Sequence, residues 1–342
     1  MISKISKLLL ILATAALVLW QLPYWINYLR VDGTSTPFTI YSCLEEQFVM
    51  IKHQDGKAVK CGVDGTVYSD KEFDSILPAF YVRQLMTDGR FPDTVLGRAV
   101  TAPMLIHHNF NFRSSPREIN KPLIGLYPLI ESMSKRVDLE MPADLFRISG
   151  SRIEFVIMES NSVDEKKSER FTEELLEHGF AFPALGVAGN PTTRKEYDEG
   201  YLLIDANHQV YHMKMTVGRP FVRNVVLPEG VTIDHAFLTE YRDRTQLGLL
   251  VDSEDRVYLL TSDHQTHLLP IERFDPTTQS MTIFGNLFDW TVRVASPEAN
   301  IYYAIDADDL SLLKVHRIDY DDDSFMGLHF TSPYDKYVRP RF

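Results

Sequence analysis

The sequence has only two cysteines, Cys43 and Cys61, in 342 residues. Their spacing matches no zinc pattern, which needs four ligands in clustered pairs. Outside the cytoplasm they could close one disulfide. A hairpin turning at Asp55-Gly56 would set Cys61 opposite Met50 rather than Cys43, so the pairing stays open. Basic charge is also scarce: 35 Lys and Arg stand against 47 Asp and Glu, a net of −12. Residues 1–30 hold three basic residues, Lys4, Lys7 and Arg30, and no acid, which leaves 32 against 47 and a net of −15 in the remainder. That balance argues against nucleic acid as a partner, because such binding rests on Lys and Arg neutralising phosphates. There is no G-x-S-x-G elbow, H-E-x-x-H pair, Walker loop or G-x-G-x-x-G turn. No catalytic residue, metal set or cofactor is therefore expected. A hydrolase or lyase built from dispersed residues remains an alternative. A second apolar run of 18 or more residues is missing too, which excludes a multi-span transporter.

The one long apolar run is at the N-terminus. Lys4 and Lys7 precede Leu8–Trp20, and the run continues less purely to Leu29. As helix, Leu8–Leu29 measures about 33 Å, enough to cross a hydrocarbon core of about 30 Å. Trp20, Tyr24, Trp25 and Tyr28 crowd its far end, where amphipathic rings favour the interface. The lysines on the near side put the N-terminus in the cytoplasm. Residues 1–30 thus read as a single-pass inner-membrane anchor that engages the bilayer, and residues 31–342 as a periplasmic body. A cleaved signal is the rival, since Ala13-Thr14-Ala15 fits the A-x-A pattern. Cleavage there would leave only Leu8–Leu12 as the apolar stretch and strand Ala16–Trp20 in the mature chain.

Beyond residue 36 the chain is dominated by short β-type runs between turn formers, among them Phe38–Tyr41, Phe48–Lys52, Val59–Val63 and Thr66–Ser69. One pattern recurs: apolar residues, a tight polar turn, apolar residues. It occurs at Val63-Asp64-Gly65-Thr66-Val67-Tyr68, Leu203–Tyr211, Leu250–Tyr258 and Ala304–Leu312, with a relative at Phe146–Phe155 that has Gly150 at the turn. Asp, Asn and Gly suit such turns because a short polar side chain bonds the backbone and tolerates left-handed geometry. The markers at 64, 150, 205, 252 and 306 are 86, 55, 47 and 54 residues apart. Counting the first gap as two units gives a period near that of four-stranded propeller blades, about 40–50 residues. The expected fold is mainly β, a propeller-like array of about six four-stranded units with a short helical insertion after an N-terminal transmembrane helix.

Two regions interrupt the pattern. Residues 72–145 read as irregular or helical, with short helices expected over Pro78–Asp88 and Pro122–Lys135, although Pro128 would break the second. Residues 165–180 read as a helical insertion, with Phe171, Leu175 and Leu176 on an apolar face and Gly179 as its stop. Asn190–Gly200 reads as an exposed polar loop. Asp319, Asp321 and Asp323 imitate a calcium loop, but Ser324 and Phe330 stand where Gly and Glu are required, so an acidic solvated turn is the better account. His208 and His212 would lie about 13 Å apart on one continuous strand, and His264 and His267 sit in a polar loop. The stretch richest in recognition groups is His107–Arg117. Its binding candidates are His107, His108, Arg113 and Arg117, because arginine makes paired bonds to carboxylate or phosphate. The plainer alternative is that the arginines pair with Glu118 or Asp138 and shape an irregular loop.

Phe80-Tyr81-Val82-Arg83-Gln84-Leu85, Asp88–Asp93, Phe112–Arg117, Gly125–Leu129 and Met141–Ile148 resemble an uncharacterised family of single-span, membrane-anchored proteins of Gram-negative anaerobic bacteria. The resemblance covers roughly residues 78–155. The family is a domain of unknown function that we associate with ABC-transporter components, and it supplies no assigned catalytic residues. It implies a non-enzymatic periplasmic accessory or scaffold protein, with a membrane transport complex as partner. A small-molecule sensing or binding module is the alternative.

Overall fold

The computed structural model describes residues 2–30, 36–54, 57–122, 125–319, 329–330 and 340–341. Helix α1 (Ile2–Arg30) contains the apolar span Lys4–Leu22, of mean hydropathy 2.0 and with none of it buried. The Thr14 hydroxyl, in the middle of the span, is satisfied within the helix by donating to the Leu10 carbonyl at 2.8 Å.

The body begins with strands β1 (Phe38–Ser42), β2 (Gln47–Gln54), β3 (Lys57–Gly62) and β4 (Val67–Tyr68). Next come α2 (Asp70–Ser75), α3 (Val82–Thr87), the hairpin β5 (Thr94–Val95) and β6 (Arg98–Ala99), α4 (Ala102–His108), β7 (Phe110–Ser114) and α5 (Pro116–Ile119). Strands β8 (Asp144–Ile148), β9 (Ile153–Ile157) and β10 (Ser162–Val163) precede α6 (Glu165–Glu177). Two four-strand runs follow: β11 (Gly186–Gly189), β12 (Tyr201–Ile204), β13 (Val210–Thr216) and β14 (Arg219–Asn224), then β15 (Ile233–Leu238), β16 (Gln246–Asp252), β17 (Val257–Thr261) and β18 (Thr266–Leu268). The last are β19 (Ser280–Gly285), β20 (Asp289–Ala295), β21 (Ala299–Asp306) and β22 (Leu312–Asp319), with the short pair β23 (His329–Phe330) and β24 (Pro340–Arg341).

The strands form a mainly β, propeller-like array of antiparallel meanders. Among the described residues there are five sheets larger than a hairpin, against about six expected units, and three of them are four-stranded: β1–β4, β11–β14 and β15–β18. The sheet β8–β10 has three strands, and the last sheet has five because β7 joins the edge of β19. We call these the first, second, third, fourth and fifth sheets in order of their main strands. Each core lies between neighbouring sheets. Phe146, Phe155 and Phe171 pack against Tyr201 and Met213, joining the second sheet and α6 to the third. Leu202 and Ile204 meet Ile233 and Leu250 between the third and fourth. Leu249 and Val257 meet Ile283 and Trp290 between the fourth and fifth. Tyr41 and Phe48 meet Tyr302 and Ala304, joining the first sheet to the fifth. At about 25 cal/mol per Å² of apolar surface, these interfaces are the main favourable term holding sheet to sheet.

The recurring turns have one chemistry. Asp205 Oδ1 accepts from Asn207 N (2.9 Å) and Gln209 N (2.8 Å). Asp252 Oδ1 accepts from Glu254 N and Arg256 N, both at 2.9 Å, while Oδ2 accepts from Arg256 Nε and the Tyr258 hydroxyl. Asp306 Oδ1 accepts from Asp308 N and Asp309 N, and Asp64 Oδ1 from Thr66 N. At the fifth marker Ser149, beside Gly150, takes the same part by accepting from Arg152 N. Asp205 and Asp252 are buried, whereas Asp64 is exposed. Three turns also place a non-glycine residue in the left-handed region, His208, Asp255 and Leu310.

Several expectations change. The residues Asp55 and Gly56 lie outside the described residues, but β2 and β3 pair with Met50 opposite Cys61, the register such a hairpin requires. Both cysteines are free thiols. The region 72–145 holds α2–α5 and also β7, a strand the sequence did not reveal. Among its described residues 122–135 form no helix. Pro122 and Pro128 lack the needed donors, and Tyr127 instead exchanges backbone bonds with Phe146 across a bridge. Helix α6 runs from an Asp164 cap to His178, with Gly179 at φ +85° as its stop. It buries Phe171 and Leu175, but Leu176 is exposed. Asp321, Ser324 and Asp323 lie outside the described residues, and Asp319 pairs with Arg317 at 2.6 Å. The rings of Tyr24, Trp25 and Tyr28 likewise lie outside the described side chains.

Where the first and fifth sheets meet, Asp289 is buried with Oδ1 lacking a hydrogen-bond partner. It faces the Asn286 side chain and the Cys43 thiol, and Asp306 lies near enough to add repulsion. Burial pushes its pKa up from 3.8 to about 7, and the same seam pushes the Cys43 thiol up to about 12. The folded chain therefore holds a proton that the unfolded chain has already released. This contribution to stability is fully present below about pH 4 and is lost as the pH rises through about 7.

Two predictions follow from these carboxylates. Asp252→Ala should lower the unfolding free energy by about 2–4 kcal/mol, because it strips partners from four donors, while Asp64→Ala, at an exposed turn, should cost clearly less. Urea unfolding of the full chain measures both. Asp289→Asn keeps the shape and cannot ionise, so relative to the parent it should gain on the order of 2 kcal/mol between pH 5 and pH 8. Equal stability differences at the two pH values would contradict the neutral Asp289.

Candidate functional site

Three strands that each carry a free sheet edge, or join one, converge. Strand β7 ends the fifth sheet, β11 begins the third and β15 begins the fourth. The cleft between them encloses about 890 Å³. It can form because β11 is built from small residues, Gly186-Val187-Ala188-Gly189. A Cβ on Gly189 would stand 2.4 Å from the Tyr201 ring, and one on Gly186 would stand 2.9 Å from Ile204 Cδ1. Neither approach tolerates a side chain without displacement. Strand β15 is held against β16 in a similar way, since a Cβ on Gly248 would meet the Phe237 carbonyl at 2.2 Å.

The cleft's apolar wall is aromatic. Phe112 meets Phe237 edge to face at 5.4 Å, and Tyr241, the third lining ring, is backed by Phe110 outside the lining, stacked at 4.6 Å. Its polar wall contains Arg113, Glu118, Asp234, His235, Thr239 and Glu240. Asp234 is engaged by His208 Nδ1 at 2.9 Å. The Arg113 side chain, on β7, is exposed and has no hydrogen bond or ion pair among the described residues. Thr239 is buried, and its Oγ1 has no partner.

Glu240 closes one end. Its Oε1 accepts from Lys195 Nζ at 2.6 Å and from Glu199 N at 2.8 Å, and its Oε2 from Asn190 Nδ2 at 2.9 Å. Lys195 also reaches Asp198 at 2.6 Å, and all three side chains are almost fully buried, 7% exposed for Lys195, 4% for Asp198 and 1% for Glu240. Burial raises the Glu240 pKa, opposed chiefly by its bond to Lys195. The segment Asn190–Gly200 is thus no exposed polar loop. Its Lys195 and Asp198 are buried because their charges are satisfied by each other, by Glu240 and by donors such as Ser132 Oγ and Gly200 N to Asp198 Oδ2, while Arg194 and Glu196 are exposed. With three donors and the Lys195 charge on its carboxylate, Glu240 pins the chain just after β15.

Of the four candidates named from the sequence, the structure brings only Arg113 into this cleft. His107 and His108 end α4 with rings 5.3 Å apart, and His108 Nδ1 lies 3.8 Å from Asp243 Oδ2. Arg117 is exposed on α5. Neither arginine pairs with Glu118 or Asp138 among the described residues, so the loop-shaping alternative is not their role. Glu118, Asp234, Thr239 and Glu240 were missed, and only topology brings them together.

The histidines pair differently from the expectation. His208 belongs to the turn, not to β13, and His212 bonds His264 instead (Nδ1 to Nε2, 3.0 Å). The Glu199 carbonyl can only accept, so His212 donates to it through Nε2 at 2.6 Å and accepts from His264 through Nδ1. Burial lowers the His212 pKa to about 3, which keeps it in this neutral form. Among the described residues no group of three or more His, Cys, Asp or Glu is placed to hold a metal.

No curated protein matches the chain. Several solved structures resemble it distantly. One is described as the structure of the Dos1 propeller, at 10% identity and TM-score 0.30, covering 52% of this chain and 45% of that one. Another is PorZ, a bacterial surface component of the type-IX secretion system of Porphyromonas gingivalis, at 10% identity and TM-score 0.27, covering 91% of this chain and 32% of that one. The chain spans less than half the length of either. A family profile, by contrast, matches residues 38–305, the body from β1 to the end of β21. The chain belongs to that family, a domain of unknown function, DUF4857.

Proposed function

We propose that this protein is a non-enzymatic binding scaffold, anchored by α1 in the inner membrane with its body in the periplasm. Its three-edged cleft receives a carboxylate-bearing segment of a partner protein, and a subunit of a membrane transport complex is the expected partner. The observation that carries this reading is the pairing of an exposed, partnerless Arg113 with the buried, partnerless Thr239 hydroxyl in one cleft of about 890 Å³. A guanidinium offers a fork of donors matched to a carboxylate, and a buried hydroxyl without a partner costs free energy that a bound group would recover. The free edges of β11 and β15 add backbone donors and acceptors of the kind that an extended segment pairs with. Lys4 and Lys7, ahead of the apolar run that begins at Leu8, support the cytoplasmic N-terminus.

The test is affinity purification of the full chain from crosslinked membranes. The unmodified protein should recover a transport-complex subunit, and Arg113→Glu should reduce that recovery about tenfold, the scale of one charge-assisted contact. Equal recovery by both would remove the cleft from the account. Recovery of no such subunit by either would remove the transport link. Residues 1–30 should also remain on the membrane-bound chain after an alkaline wash, and a mature chain starting after Ala15 would contradict the anchor.

A further inference from the structure

A second cleft, between β2 of the first sheet and β22 of the fifth, encloses about 480 Å³. Its lining includes Pro37, Lys52, His53, His316 and Arg317, with no carboxylate among the described residues. That is notable in a chain of net charge −12, whose other cleft carries Glu118, Asp234 and Glu240. Arg317 is already neutralised by Asp319. Lys52 and His53 are exposed and have no hydrogen bond or ion pair among the described residues. His316 is set in place by aromatic packing, its ring stacked on Tyr302 at 6.2 Å and tilted against Phe48 at 5.9 Å. Its ring nitrogens have no hydrogen bond among the described residues, and the Lys52 charge joins burial in disfavouring its protonation. Lys52 and His316 thus face one space without a counter-charge among the described residues, a placement that a bound anion relieves.

We propose that this cleft is a binding site for a phosphate-bearing anion, with Lys52 and His316 as its principal contacts. The ammonium supplies up to three donors and the imidazole a fourth, which suits the several oxygens of a phosphate group. Free phosphate and a phospholipid headgroup share this chemistry. Pro37, at the cleft, is the seventh residue after Arg30, so the linking chain spans at most about 25 Å. The headgroup source alone rests on the anchoring proposed above. The free-phosphate source does not.

The experiment is calorimetric titration of the full chain in non-ionic detergent with inorganic phosphate and, separately, with a water-soluble short-chain phosphatidylglycerol. At least one ligand should bind, with Lys52→Gln weakening it about tenfold. Lys166→Gln, an exposed lysine on α6, should leave the affinity unchanged. Binding of phosphate alone assigns a free-phosphate site, and tighter binding of the lipid assigns a headgroup site. Binding of neither ligand, or equal weakening by the two lysine variants, overturns the proposal. A failed anchor would abolish the lipid's relevance without touching the phosphate result.

Discussion

The structure depends on a carboxylate bonded to the backbone of a tight turn, because each such turn fixes two things at once. Within a sheet, Asp205 and Asp252 set the register of the strands on either side. Between sheets, the same turns dock on their neighbours. The Asp205 turn donates Ala206 N to the Ala181 carbonyl, just ahead of β11, and its His208 carbonyl accepts from Ile233 N, the first residue of β15. The Asp252 turn offers its Asp255 carbonyl to Phe274 N, ahead of β19. The apolar interfaces supply the attraction between sheets, but an apolar contact is indifferent to small sliding. The turn bonds are directional, and they hold the inner strands where β7, β11 and β15 can frame a cleft.

The same chemistry accounts for the structural part of the protein's acidity. Asp64, Asp205, Asp252 and Asp306 serve in turns, while Asp198 and Glu240 are spent on Lys195. Asp289 is pushed toward neutrality at the seam of the first and fifth sheets. Net negative charge therefore says little about cation binding here. The informative groups are the cations that line a cleft without a partner among the described residues, Arg113 in the three-edged cleft and Lys52 beside His316 in the second one.

Much of the architecture was legible because its signals are local. The Asp and Gly markers identified hairpins, the Asp55-Gly56 turn implied the Met50–Cys61 register, and Gly179 marked the end of α6. What was hidden depends on contacts distant in sequence. Strand β7 was invisible because Phe110–Ser114 reads as part of a polar, His- and Arg-rich stretch, and its partner β19 lies beyond residue 279. The polar run Asn190–Gly200 looked solvated because the acid that buries Lys195, Glu240, lies 45 residues away. His212 and His264 meet only because the third and fourth sheets pack. Of the candidate site, Arg113 was visible as a residue type, but the cleft around it was not.

The claim that turn carboxylates position the cleft strands is tested most directly by hydrogen–deuterium exchange on the full chain carrying Asp205→Ala. The account predicts that lost protection spreads from residues 205–209 into β11 and β15, because the turn's bonds to Ala181 and Ile233 are released together. Loss of protection confined to residues 205–209, with β11 and β15 exchanging as in the parent, would contradict it.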